Sequence, residues 1–233
     1  MLLWNERQAV VEYGKKMLTT GLVKGSGGNI SLCNPEKNLA AITPSGISYL
    51  EMTPEDVVII DLDGNQIEGD LKPSSEIHIH LALLNRKKND LAVVHTHSDY
   101  ATSMACLRWE LPALHYLIGH AGDRVPVADY AIFGSVELSD NICQAIGDGN
   151  AVLMANHGMV AVGTSLKKAY ATAEMVEYVA KLYMMTKSVG KPIILDSQEM
   201  SEVLDKFQYY GQQNVDSSFQ TLVDKILNEF NKK

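Results

Sequence analysis

The chain has 233 residues, with 20 Lys and Arg against 28 Asp and Glu, a formal charge of −8. Its 46% hydrophobic and 21% charged residues are ordinary globular usage, which argues against disorder, and the acidic balance argues against nucleic acid or an anionic membrane as main partner. Cys33, Cys106 and Cys143 are odd in number and never form a Cys-x-x-Cys pair, so a disulfide framework is not expected and a reducing compartment is.

Met1 to Arg7 lacks the basic start and apolar core of a signal peptide, and no apolar run reaches the roughly 18 residues of a membrane helix. A single cytoplasmic domain over 1–233 is the expectation. Residues 5–20 carry Val10, Tyr13, Met17 and Leu18 at the spacing of an amphipathic helix that ends near Gly21. A glycine-dense turn, Gly25-Ser26-Gly27-Gly28-Asn29, leads into a short strand at Ile30-Ser31-Leu32. Val57-Val58-Ile59-Ile60 reads as a buried strand, and Asp63-Gly64 as a hairpin turn into Gln66-Ile67.

Helices are predicted near 75–86, 99–106 and 137–146. Strands at Leu91–Val94 and Ala151–Ala155 run into His95-Thr96-His97 and Asn156-His157-Gly158. A long helix over 165–187 keeps Ala169, Ala173, Val176, Ala180 and Tyr183 on one face. Asp196-Ser197 caps a helix carrying Val203, Leu204 and Phe207, and an amphipathic stretch with Phe219, Leu222, Val223, Ile226 and Phe230 closes the chain. Interleaved strands and helices, with some strands paired as hairpins, predict an α/β fold: a mixed, largely antiparallel central sheet flanked by helices on both faces.

The histidines point to a metal. His95 and His97 lie two apart at a strand end, so both side chains share a face. His157 also ends an apolar strand and is followed by a glycine that lets the chain turn away. If the strands are neighbours, one ion can accept all three imidazoles. The fourth ligand is then a carboxylate or solvent. Glu76, in Pro73-Ser74-Ser75-Glu76, is the candidate carboxylate, in the first turn of a helix capped by Ser74 or Ser75. Its plain reading is complementing the helix dipole. His78 and His80 lie inside the same helix, two apart and facing different directions, and read as structural or surface residues. His115 and His120 receive no metal role.

Three turns are rich in hydrogen-bond donors. Gly25 to Gly28 runs helix to strand, so it is neither a dinucleotide fingerprint nor a P-loop, yet its backbone N–H groups can form an anion nest. Ser74 and Ser75 at a helix N-terminus, and Thr43-Pro44-Ser45-Gly46, offer hydroxyls and further N–H groups. Together they suggest a phosphate held by dipoles; singly, each is an ordinary loop.

In this order, Gly28-Asn29-Ile30-Ser31, Thr43-Pro44-Ser45-Gly46, Pro73-Ser74-Ser75-Glu76, His95-Thr96-His97 and Asn156-His157-Gly158 resemble the class II aldolase/adducin family, most of all its L-fuculose-1-phosphate aldolase branch. Pro112 to Tyr116, Tyr130 to Gly134 and Phe207 to Gly211 resemble that branch too, and the likeness covers about 5–211. It implies one Zn²⁺ per subunit on Glu76, His95, His97 and His157, and a phosphate pocket of Gly28, Asn29, Ser45, Gly46, Ser74 and Ser75. It further implies a cyclic homotetramer with active sites at subunit interfaces, Tyr116 reaching a neighbour's site, and Tyr210 closing over the substrate. Residues 212–233 extend beyond the likeness as a C-terminal helical extension.

The implied reaction is metal-dependent cleavage of L-fuculose 1-phosphate, or a similar ketose 1-phosphate, to dihydroxyacetone phosphate and L-lactaldehyde. Zinc would take up the enediolate charge and Glu76 would shuttle the C3 proton. The nearest alternative is an L-ribulose-5-phosphate 4-epimerase, whose pattern has Asp after the serine pair where this chain has Glu76. A methylthioribulose-1-phosphate dehydratase and the related 5-deoxypentulose-phosphate aldolases are further enzyme readings. An adducin-like binding module would need neither the three histidines nor Glu76, and a general zinc hydrolase leaves the donor-rich turns without a purpose.

Overall fold

The structure, a computed structural model, describes residues 1–207. It begins with helix α1 (Trp4–Thr19) and the strands β1 (Asn29–Asn34), β2 (Leu39–Ile42), β3 (Val58–Asp61) and β4 (Gln66–Glu68). Helix α2 (Ile77–Arg86), strand β5 (Ala92–Thr96), helix α3 (Asp99–Leu107) and a 3-10 helix (Tyr116–His120) follow. Then come β6 (Val127–Ala128), α4 (Val136–Ile146), β7 (Ala151–Met154), β8 (Gly158–Gly163), α5 (Leu166–Val189) and α6 (Ser197–Phe207). The final amphipathic stretch, residues 212–233 and Tyr210 lie outside the described residues.

The strands form one sheet in the order β4-β3-β2-β1-β5-β8-β7-β6. Every pairing is antiparallel except β6 with β7. This is the predicted mixed, largely antiparallel sheet. Helices cover both faces, so successive residues of a central strand enter opposite cores. In β5, Ala92 and Val94 join the core with α1, α3 and α5, while Val93 joins the core with α2 and α4; β3, β7 and β8 divide the same way. That double burial makes β3, β5 and β7 apolar runs rather than alternating ones, which is why they are readable in the sequence.

The hairpin around Asp63-Gly64 forms as predicted, with the Asp61 carboxylate accepting from the N–H groups of Asp63 and Asn65 at 3.0 and 2.8 Å. Ser165 caps α5 by accepting from Lys168 N–H at 3.3 Å. Asp196 and Glu199 close a reciprocal capping box at the start of α6. Three strands depart from expectation. β2 is four residues, two of them alanine, β6 is two residues long, and β8 is bracketed by Gly158 and Gly163. Each carries too little β signal to stand alone and is set by its neighbours in the sheet.

Arg7, fully buried on α1, staples the helix to the far strands. Its guanidinium donates to the carbonyls of Leu2 at 2.9 Å, Pro54 at 3.1 Å and Val57, and to Glu68 Oε1 at 2.8 Å. Arg7→Met should cost about 3 kcal/mol, because buried carbonyls lose their donor while the partly exposed Glu68 falls back on water. The urea midpoint checks it; an unshifted midpoint would mean water replaces the guanidinium without loss. Among the described residues, no helix is long and apolar enough to cross a membrane.

Candidate functional site

Antiparallel pairing brings the predicted site segments to one end of the sheet. β1 starts where β5 ends, with Asn29 opposite His95. β5 ends where β8 starts, with Thr96 opposite Met159, and β7 ends beside the same point, with Met154 opposite Gly158. The strands leading into His95 and His157 are therefore not neighbours, contrary to the condition set in the sequence; β8 lies between them. Convergence comes instead from the tight turn joining β7 to β8. There Asn156 takes the left-handed conformation (φ 57°), and not the glycine after His157. Gly158 serves close approach: a Cβ there would press on the Thr96 carbonyl oxygen and come within 2.8 Å of the His97 ring.

His95, His97 and His157 each offer a ring nitrogen, and these atoms lie within 4.8 Å of one another. His95 Nδ1 donates to the Met159 carbonyl at 2.8 Å, which turns Nε2 toward the site. His97 Nε2 lies 2.9 Å from it. Burial, followed by the influence of His95 and His157, pushes His97 down to about 4, so its imidazole is neutral at pH 7.

Glu76 faces this cluster, with Oε2 3.2 Å from His95 Nε2 and Oε1 3.2 Å from His157 Nε2. Burial alone would raise its carboxyl, but the imidazoles of His157 and His95 closing on it outweigh that and hold it well below the usual range. Glu76 occupies the N-cap position of α2 rather than the first turn, and neither serine is the cap residue. Its carboxylate does not cap the helix, because it is turned into the site; Ser74 Oγ accepts from the Glu76 N–H at 3.2 Å instead. Glu76 Oε1 is buried without an aligned donor. Convergent imidazole lone pairs and an under-satisfied carboxylate oxygen are the donor set of a divalent metal, and these four residues fit one.

The three donor-rich turns are laced to the same end. Ser45 N–H donates to the Lys72 carbonyl and Ser74 N–H to the Thr43 carbonyl, both at 3.0 Å, around a bridge between Pro44 and Pro73. Thr43 Oγ1 accepts from Ile30 N–H at 3.1 Å, tying in the glycine turn. Asn29 Nδ2 reaches Glu76 Oε2 at 2.8 Å and Ser75 lines the cleft beside it, while Gly28, Ser45, Gly46 and Ser74 sit in the linked turns. A cleft of about 330 Å³ opens there, lined by the polar Ser75, Glu76, His97, Asn156 and His157 and by Tyr130, Ala131 and Phe133.

Tyr116 does not line this cleft; it is 46% exposed on the 3-10 helix, its ring 4.7 Å from that of His115. His115 Nδ1 accepts from Leu117 N–H, and His120 packs against Phe207, so neither joins the cluster. His78 is exposed. His80 is the residue the sequence undervalued. It is completely buried, with its ring nitrogens 2.7 Å from Ser31 Oγ and 2.5 Å from Asn29 Oδ1. The signal was present in its spacing, since four residues past Glu76 is one helical turn on the same side. Tyr49 was missed as well: its hydroxyl donates to the Gly28 carbonyl at 2.7 Å, anchoring the glycine turn from below.

Residues 8–184 match the family model for the class II aldolase and adducin N-terminal domain. The chain is 50% identical to the 5-deoxy-D-ribulose 1-phosphate aldolase of Bacillus thuringiensis, over 91% of this chain and 100% of that one. It is 37% identical to the L-fuculose phosphate aldolase of Escherichia coli K12, over 87% and 94%. A solved L-fuculose 1-phosphate aldolase superimposes with a TM-score of 0.86 at 44% identity, covering 88% of this chain and 96% of that one.

Proposed function

This chain belongs to the class II aldolase and adducin family, and within it we propose a zinc-dependent aldolase that cleaves a 5-deoxypentulose 1-phosphate to dihydroxyacetone phosphate and acetaldehyde. The family's aldolases are lyases, and such enzymes are metal-dependent. The observation that carries the reading is a single one. Three imidazoles and Glu76 converge beside a cleft whose lining includes Tyr130, Ala131 and Phe133, which suit an apolar methyl terminus. The sequence put L-fuculose 1-phosphate first. The 50% identity to a 5-deoxyribulose 1-phosphate aldolase moves that sugar to second place, although both products end in a methyl group.

Cleavage removes the C4 hydroxyl proton, breaks C3–C4 with its electron pair left at C3 beside the C2 carbonyl, and returns a proton to C3. A zinc ion held by Glu76, His95, His97 and His157 would supply Lewis acidity toward the carbonyl oxygen. The donors of Gly28, Asn29, Ser45, Gly46, Ser74 and Ser75 hold the phosphate and so align the reacting carbons. Glu76, a carboxylate in the resting site, takes up the proton released at the C4 hydroxyl, relayed through Tyr116 or solvent, and delivers it to C3, using the oxygen that lacks an aligned donor. Tyr116 from a neighbouring copy, in a cyclic homotetramer, handles the proton at the C4 oxygen, and Tyr210 closes over the substrate. The exposure of Tyr116 suits such a reach, as does the exposed apolar run Tyr130, Ile132, Phe133 and Val136 beside the cleft for an interface. A cytoplasmic setting fits the free cysteines.

The test is a coupled assay for dihydroxyacetone phosphate from 5-deoxyribulose 1-phosphate and L-fuculose 1-phosphate, with and without chelator. We expect release that chelator abolishes and zinc restores, with the deoxypentulose favoured at least about tenfold in kcat/KM. No release, together with conversion of L-ribulose 5-phosphate to D-xylulose 5-phosphate, would make the protein an epimerase.

A further inference from the structure

Behind Glu76 runs a file of buried polar side chains whose bonds to one another have no part in the reaction outline, although Asn29 serves there as a phosphate donor. Asn29 and Ser31 lie two apart on β1 and so share a face. Between them sits His80 of α2, with Nε2 2.5 Å from Asn29 Oδ1 and Nδ1 2.7 Å from Ser31 Oγ. Asn29 Nδ2 in turn lies 2.8 Å from Glu76 Oε2. Asn29, Ser31 and His80 are all buried.

The hydrogens in this file can be placed by elimination. An ionised carboxylate only accepts, so the Asn29 amide must present its NH₂ to Glu76 and its oxygen to His80. The Asn29 oxygen then requires a donor, so His80 carries its hydrogen on Nε2. The bare Nδ1 takes the Ser31 hydroxyl proton. Every donor in the file points toward Glu76. Burial, and then the nearby His95, lower His80 to about 3, so the imidazole stays neutral and this arrangement holds at physiological pH.

We propose that His80 is a positioning residue, which locks the Asn29 amide so that it holds Glu76 at Oε2 and leaves Oε1 alone free to meet the metal or the substrate proton. The inference rests on the reading of Glu76 as the proton-transfer group. Without His80, the Asn29 amide is free to rotate and present its oxygen to the carboxylate, which repels it. The carboxylate is then no longer held in one orientation.

Three substitutions in the zinc-loaded full chain separate this from simple packing. His80→Gln places an amide N–H near the position of Nε2, His80→Asn keeps a polar group only near Nδ1, and His80→Leu removes both. We expect His80→Gln to stay within about threefold of wild type in kcat, and the other two to lose about 10- to 100-fold with KM little changed. Equal losses in all three, tracking thermal stability, would overturn the proposal. A second readout needs neither turnover nor a variant. Long-range ¹H–¹⁵N spectra of the wild-type imidazoles should show His80 as the neutral Nε2–H tautomer with a slowly exchanging proton. An Nδ1–H tautomer or an imidazolium would reverse the file and overturn the proposal even in an active enzyme. If the wild type cleaves no ketose phosphate yet shows the Nε2–H tautomer, the functional reading fails while the hydrogen-bonded file stands.

Discussion

Glu76→Gln should lower kcat by about 10³-fold or more, while the folded chain and its KM change little. Gln is isosteric, and its amide oxygen still accepts from Asn29 Nδ2, which lies 2.8 Å from Oε2 in the native carboxylate. What disappears is basicity at a group whose charged form the surrounding imidazoles favour. An amide also ligates a metal more weakly, so metal content has to be measured alongside turnover. The decisive readout is exchange of the C3 hydrogen of dihydroxyacetone phosphate with solvent deuterium in the absence of aldehyde. Wild type should exchange it; the metal-loaded variant should not. A variant that keeps its metal, loses cleavage and still exchanges would move proton transfer to another group and leave Glu76 as a ligand only.

The parts of the fold legible in the sequence are those whose signal is local. Buried on both faces, β3, β5 and β7 appear as short apolar runs. Helix α5 shows its stripe of Ala169, Ala173, Val176 and Ala180 because one face alone enters the core. Strands β2, β6 and β8 were not legible, since two alanines, a two-residue length and flanking glycines carry little intrinsic β preference. The site divides along the same line. His95 and His97 share a face by strand periodicity, so their pairing could be read directly. How His157 joins them depends on an intervening strand that the sequence did not disclose. His80 was read by its relation to His78, which does point elsewhere, when the informative relation was to Glu76 one turn back. Asn29 was read as a phosphate donor from its glycine-rich turn. Its amide bond to Glu76 follows only from the register that sets β1 beside β5 and under α2.

Gly158→Ala should cost the protein its metal more than its fold. The added Cβ meets the backbone carbonyl of Thr96 and comes within 2.8 Å of His97 Cδ2 and 3.4 Å of His95 Cε1. The backbone cannot retreat cheaply. Gly158 pairs with Met154 on one side, the next residue pairs with Thr96 on the other, and the Met159 carbonyl holds His95 Nδ1 at 2.8 Å. The strain therefore falls on the two imidazoles, which swing away from the position they share with Glu76. Overpacking of this kind costs about 1–3 kcal/mol of stability. Because the displaced groups are the ligands themselves, zinc affinity should fall by at least about 100-fold in competition with a chromophoric chelator. Gly21→Ala supplies the control. Gly21 has a positive φ, +81°, which Gly158 does not, and nothing lies within 4 Å of its would-be Cβ. That variant should lose about 1 kcal/mol through backbone conformation and keep wild-type zinc affinity. Parallel losses of affinity in the two would mean that metal binding follows global stability. Loss in Gly158→Ala alone would show that the absent side chain at this turn is what lets two strands and three imidazoles close on one point.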